Sequence, residues 1–217
     1  MSVDDTMSAG AKSSVSDTTR QKILDAAADA FMLGGYSTTT IDDIANSVGA
    51  TKGLIYYHFR SKFDIFLAVY KEGMVRTRSQ VEPHAHGSGD GFQRLLNMST
   101  AHVLQIMADL GYHQVVHEGV REQRSAALRP RQREQLAELN RLRAEYEELF
   151  RSVAKEGIED GSVRPLDPNL LVRTLLSSLN AVDMWFRPRA GQTEEELSEL
   201  AGQVTDIVVN GVSNHAP

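Results

Sequence analysis

Apolar residues recur along this chain three and four positions apart, the spacing of one face of a helix, and nowhere do they alternate with period two between hairpin turns. Ile23, Ala27, Ala30 and Phe31 predict a first helix over 18–33. Thr18 and Gln21 serve as its capping box, and Gly34-Gly35 as its stop. Thr40 precedes a short apolar face of Ile41, Ile44, Ala45 and Val48 that ends at Gly49, and Asp43 three places after Thr40 supports the helix start. After the Gly49-Ala50 turn a third short helix spans 52–59. Ser61 with Asp64 then opens a fourth along Ile65, Phe66, Val69, Tyr70 and Met74.

Gly, Ser, Asp and Pro cluster at 83–91 (PHAHGSGDG), the strongest linker pattern in the chain. Beyond it, helical patterns run over 92–108, 112–122 and 130–159, the last carrying charges of both signs. Asp167 with Pro168 starts a more apolar helix through Leu171, Thr174, Leu175, Ser178, Val182 and Trp185. Thr193 with Glu196 caps a last one through Leu197, Leu200, Ala201, Val204, Ile207, Val208 and Gly211. The expected fold is all-α with about nine helices. Its expected parts are a disordered tail at 1–17, a DNA-facing head at 18–80 and a helical body at 81–217.

Composition narrows the function. Hydrophobic residues at 41% and charged residues at 24% are those of an ordinary globular protein. The absence of cysteine removes disulfides, thiolate metal sites and thiol nucleophiles, and fits a reducing cytoplasm. No run of about 18 apolar residues suggests a membrane span, and the Ser- and Asp-rich start lacks the apolar stretch of a secretory signal. The net charge of −6 is unevenly spread: residues 1–79 carry nine basic against nine acidic groups, the remainder fourteen against twenty, and 18–78 alone eight against six. A mildly positive head joined to an acidic body permits DNA binding.

Two short helices around a tight glycine turn have the lengths needed for one to enter a major groove while the other braces the backbone. Thr40 and Thr51 supply hydroxyls and free N–H groups, and Lys62 brings charge to the next helix start, where it is expected to meet a phosphate as Lys52 does. Lys52, Tyr56, Tyr57 and His58 supply polar edges and rings, while Phe59 is expected to pack inside the head.

The run at 40–62, TIDDIANSVGATKGLIYYHFRSK, together with Ile23, Ala27, Phe31, Gly35 and Tyr36 upstream, resembles the signature of TetR-type repressors. The resemblance implies nine or ten helices, a homodimer, a palindromic double-stranded operator and a small-molecule inducer bound in a divergent C-terminal body. It further implies that Thr40, Lys52, Leu54, Tyr56, Tyr57, His58 and Lys62 touch DNA. The chain departs from some relatives in having Asp42 where they have Arg. The segment Met184-Trp185-Phe186-Arg187-Pro188 with Gly191 is similar to regulators that answer to acyl-CoA thioesters. A CoA ligand needs cations for its phosphates, for which Arg121, Arg124, Arg173 and Arg187 are the candidates.

An inducer needs an apolar cavity with a few polar tips. His102, Met107, Tyr112, His113, Val116, His117, Tyr146, Asn180, Met184 and Trp185 are the candidate lining. His113 and His117, four apart, share a helix face and have a spacing open to zinc with Glu118 or His102. Hydrogen-bonded histidines are the commoner arrangement, so no metal and no cofactor is expected. His102, His113, His117, Glu118 and Ser177 are the available material for an enzyme. No G-x-S-x-G elbow, P-loop or dinucleotide glycine motif organises them, so no enzymatic activity is expected. A ligand-independent architectural DNA binder is the remaining alternative. The broad apolar faces of the last two helices are expected to pair two subunits as a four-helix interface.

Overall fold

The structure, a computed structural model, describes residues 3–122 and 128–210, with side chains at 16–119 and 128–210. Ten helices follow one another: α1 (Val3–Gly34), α2 (Ile41–Ser47), α3 (Lys52–His58), α4 (Lys62–Ala85), α5 (Gly91–Ala108), α6 (Leu110–Glu122), α7 (Pro130–Glu159), α8 (Pro168–Asn180), α9 (Val182–Trp185) and α10 (Glu194–Val209). Among the described residues there is no strand, and the fold is all-α.

Local signals set most boundaries. The Thr40 hydroxyl accepts the Asp43 N–H while the Thr40 N–H donates to the Asp43 carboxylate at 2.8 Å, a complete capping box that fixes the start of α2. Ser61 caps α4, Asp90 caps α5, Asp167 caps α8 and Thr193 caps α10, each accepting an N–H of the first turn. Gly35 with φ +81° ends α1, and Gly49 with φ +65° turns the chain from α2 into α3, a backbone that side chains with a Cβ adopt only under strain.

Three boundaries depart from expectation. The helical backbone of α1 begins at Val3 rather than near Thr18. The segment has no proline, and a helix already nucleated downstream extends through it at small cost per residue. The linker at 83–91 is shorter than its composition suggests: Pro83, His84 and Ala85 complete the last turn of α4, leaving 86–90 to join α4 to α5 within the body. Residue 80 accordingly falls inside α4. Finally, the apolar helix that opens at Pro168 breaks after Asn180, and α9 is a separate single turn.

A single apolar core runs from Ile23 in the head to Val209 in α10. α4, about 36 Å long at 1.5 Å per residue, is its axis, packing on α1 at one end and on α5, α6 and α7 along its length. Where α1, α4 and α6 meet, Asp25 accepts the Tyr112 hydroxyl at 2.7 Å and an Arg76 N–H at 2.9 Å. Arg76 also reaches Asp109 and Glu72 and lies 4.2 Å over the Tyr112 ring. This partly buried network binds head to body through charge-assisted hydrogen bonds.

Candidate functional site

The outer face of α3 carries most of the chemistry expected for reading DNA. Ile55 and Phe59 turn inward and anchor the helix to the head, which leaves Leu54, Tyr56 and Tyr57 on the surface, Tyr57 77% exposed. Thr51 caps α3 by accepting the Leu54 N–H. Lys52 projects from the first turn but pairs with Asp42 of α2 at 2.7 Å. Both partners are exposed, and such pairs contribute little, so an incoming phosphate competes for Lys52 on good terms. His58 closes the helix beside Tyr57, their rings edge to face.

Lys62 is engaged within the head itself. Its ammonium donates to the backbone carbonyls of Tyr36 at 2.6 Å, Thr39 at 2.8 Å and Ser37 at 3.2 Å, and sits 4.5 Å over the Tyr36 ring. Its three N–H groups are thereby spent on the α1–α2 loop.

Below the head, a cleft of about 800 Å³ opens between the end of α1 and the body. Phe31, Met32 and Tyr36 of the head and Phe66 of α4 form one wall. Gln114, His117 and Glu118 of α6, Ser177 and Asn180 of α8 and Asp183, Met184 and Arg187 around α9 form the other. A smaller chamber of about 50 Å³ lies deeper, lined by Met74 and Thr77 of α4, His102, His113, Val116, Tyr146, Glu147 and Leu176. His117, Arg143 and Asn180 line both.

A buried polar chain crosses the inner chamber. Tyr146 Oη lies 2.8 Å from His102 Nδ1, and His102 Nε2 lies 2.9 Å from Asn180 Oδ1. Burial lowers the His102 pKa to about 4 and raises that of Tyr146, so both are neutral at neutral pH. A neutral imidazole has one N–H. With the Asn180 carbonyl facing Nε2, the proton sits there, and Nδ1 accepts from the Tyr146 hydroxyl. Burial also lowers the His113 pKa, and its Nε2 is buried without a hydrogen-bond partner.

Six of the ten expected lining residues, His102, His113, Val116, His117, Tyr146 and Asn180, surround the inner chamber, and Met184 lines the outer cleft. Three do not line either. Met107 is packed in the core, Tyr112 belongs to the Asp25–Arg76 network, and Trp185 stands exposed on α9 because the chain turns after Asn180. Among the expected cations, the side chains of Arg121 and Arg124 lie outside those described, and Arg173 is exposed away from both cavities. Arg187 lines the cleft but donates to the carbonyls of Asp183, Met184 and Phe186. Arg143, which the sequence pattern did not single out on a heavily charged helix, lines both cavities and pairs with Glu147 at 2.6 Å.

Comparison with known proteins agrees with this layout. The model of bacterial regulatory proteins of the tetR family matches residues 23–69, and that of the tetracyclin repressor-like C-terminal domain matches 88–212. The fatty acid metabolism regulator protein of Bacillus subtilis is 24% identical over 195 residues, covering 89% of this chain and 95% of its own length. The HTH-type transcriptional repressor KstR2 of Rhodococcus jostii is 26% identical over 205 residues, 90% of this chain and 91% of its own. Among solved structures, the TetR family regulator PfmR of Thermus thermophilus superposes with a TM-score of 0.72 at 26% identity over 87% of this chain and 97% of that one. AibR, solved in complex with isovaleryl coenzyme A and operator DNA, superposes with a TM-score of 0.70 at 21% identity over 91% and 99%.

Proposed function

The chain belongs to the TetR family of DNA-binding transcriptional regulators, and we propose that it is a homodimeric repressor that leaves a palindromic operator when an acyl-CoA thioester fills its cleft. The observation that carries this reading is the cleft's position. The wall contributed by the head includes Tyr36, whose carbonyl Lys62 holds, and the opposite wall is α6, α8 and α9. A molecule between these walls changes the spacing of α1 and the body, and so binds one arrangement of the heads better than the other. Such differential affinity is what a switch requires.

The DNA-facing surface in this reading is Thr40, Thr51, Lys52, Leu54, Tyr56, Tyr57 and His58, with Lys62 shaping the loop that presents it. In the cleft, Arg143 is the cation positioned for the ligand's anionic part, and the chamber under it receives the acyl tip. At about 50 Å³ that recess favours short or branched acyl chains over long ones. A relative named for fatty acid metabolism and a neighbour solved with isovaleryl coenzyme A support the thioester class. Leu170, Trp185 and Ile207, exposed on α8, α9 and α10, supply apolar surface for pairing two subunits.

A thermal-shift screen of acyl-CoAs against free acids and aromatic compounds tests the effector. At one hundred times Kd a ligand stabilises by about 2.7 kcal/mol, a rise of roughly 5–10 °C for a chain of this size. Short acyl-CoAs are expected to produce it, and Arg143→Gln to abolish most of it. Stabilisation by none of the three classes removes the effector reading.

A further inference from the structure

We propose that His113, His117 and Asp183 form a site for a divalent transition-metal ion of the zinc class, joining α6 to α9 on the wall of the cleft. The two histidines lie one turn apart on α6 with ring centroids 4.5 Å apart, and His117 Nδ1 is 2.7 Å from the Asp183 carboxylate. One ligand atom from each of the three lies within 4.8 Å of the others. A tetrahedral ion with bonds of about 2.0–2.1 Å holds its ligand atoms roughly 3.4 Å apart. Binding therefore requires the longer gaps to close and the hydrogen bond between His117 and Asp183 to open slightly to admit the ion.

The second observation is the unpartnered nitrogen. His113 Nε2 is buried with no hydrogen-bond partner, a state that costs free energy unless something accepts its proton or uses its lone pair. A cation between His113, His117 and Asp183 gives that imidazole a partner. Asp183 is itself buried, on the single turn α9, and its carboxylate meets His117 of α6. A buried carboxylate requires a cation or donors.

The donor set narrows the metal. Two imidazoles and one carboxylate suit zinc and its neighbours and disfavour magnesium and calcium, which take oxygen ligands. His102, the other ring near His113, is committed to Tyr146 and Asn180 and does not serve as a ligand, and the guanidinium of Arg143 faces Glu147. Three protein ligands leave a fourth position open, as in zinc sites that bind an exogenous molecule. His117 and Asp183 both line the outer cleft, so that position faces the space where an oxygen donor on an entering molecule arrives.

The test uses the full chain, stripped of metal with a chelator and without operator or effector, so that its outcome is separate from that of the effector screen. Zinc titration by calorimetry and cobalt titration by visible absorption are expected to show a single ion per chain, with the cobalt spectrum of a four-coordinate site. His117→Ala and Asp183→Asn, their folding checked by circular dichroism, are each expected to weaken binding by about tenfold or more. His84→Ala, in the last turn of α4 away from the site, leaves it unchanged. No binding to the unaltered chain, or an affinity that survives either ligand substitution, overturns the proposal.

Discussion

The ammonium of Lys62 gives its three hydrogen bonds to the carbonyls of Tyr36, Ser37 and Thr39, which leaves it no donor for a phosphate. Lys62→Met keeps most of the stem and removes the donors. It is expected to destabilise the chain by about 1–3 kcal/mol in denaturant unfolding, since partly buried carbonyls are left unpaired. Operator affinity should fall with the salt dependence unchanged. A slope reduced by about 0.9, the signature of one lost phosphate contact, would assign the residue to DNA after all. His102 gives a pH prediction. Its folded value of about 4 lies below the usual 6.5, so between these values the folded chain binds fewer protons than the unfolded one. Stability present above pH 6.5 is therefore lost as pH falls toward 4, on the order of 3 kcal/mol for a shift of this size. Melting temperatures measured across that window should fall less steeply in His102→Gln, and parallel curves would count against a neutral buried imidazole.

At the scale of elements, the legible parts were those specified by neighbours in sequence. The capping boxes at Thr40 and Thr193, the caps at Ser61 and Asp167, and the glycine turns at Gly35 and Gly49 act within a few residues, and the helices they bound begin and end where these signals stand. What was not legible depends on distant packing. Tyr112 pairs with Asp25 far back in the chain, Arg143 is distinguished from other charges of α7 only by the cavities beside it, and Asp183 reaches His117 because a helix breaks for reasons no local residue announces. The contact of α5 with α7 is of the same kind. A Cβ on Gly91 would lie 2.2 Å from the Gly157 Cα, and backbone cannot yield as a side chain does. Gly91→Ala is expected to cost about 1–3 kcal/mol or more, read as a lower denaturation midpoint, and an unchanged midpoint would refute this close approach.

On the scale of the whole molecule, one core from head to body makes α4 a rigid strut, and the Asp25–Arg76–Tyr112 network fastens α1 and α6 to it. In the proposed reading, a ligand between α1 and α6 acts on the attitude of the head rather than on its internal structure. Two heads at a fixed separation require two subunits, and Ile207, 79% exposed on α10, lies on the surface proposed to join them. Ile207→Glu is expected to shift the chain from dimer toward monomer at micromolar concentration in light scattering, whereas a monomeric unaltered chain would contradict this assembly. The most direct test of ligand-controlled DNA binding is fluorescence anisotropy of labelled promoter fragments from the chain's own locus, titrated with protein and then with the acyl-CoA that best stabilises it. The account predicts saturable binding at low salt that the ligand reverses; binding to none of the fragments, or a complex indifferent to the ligand, contradicts it.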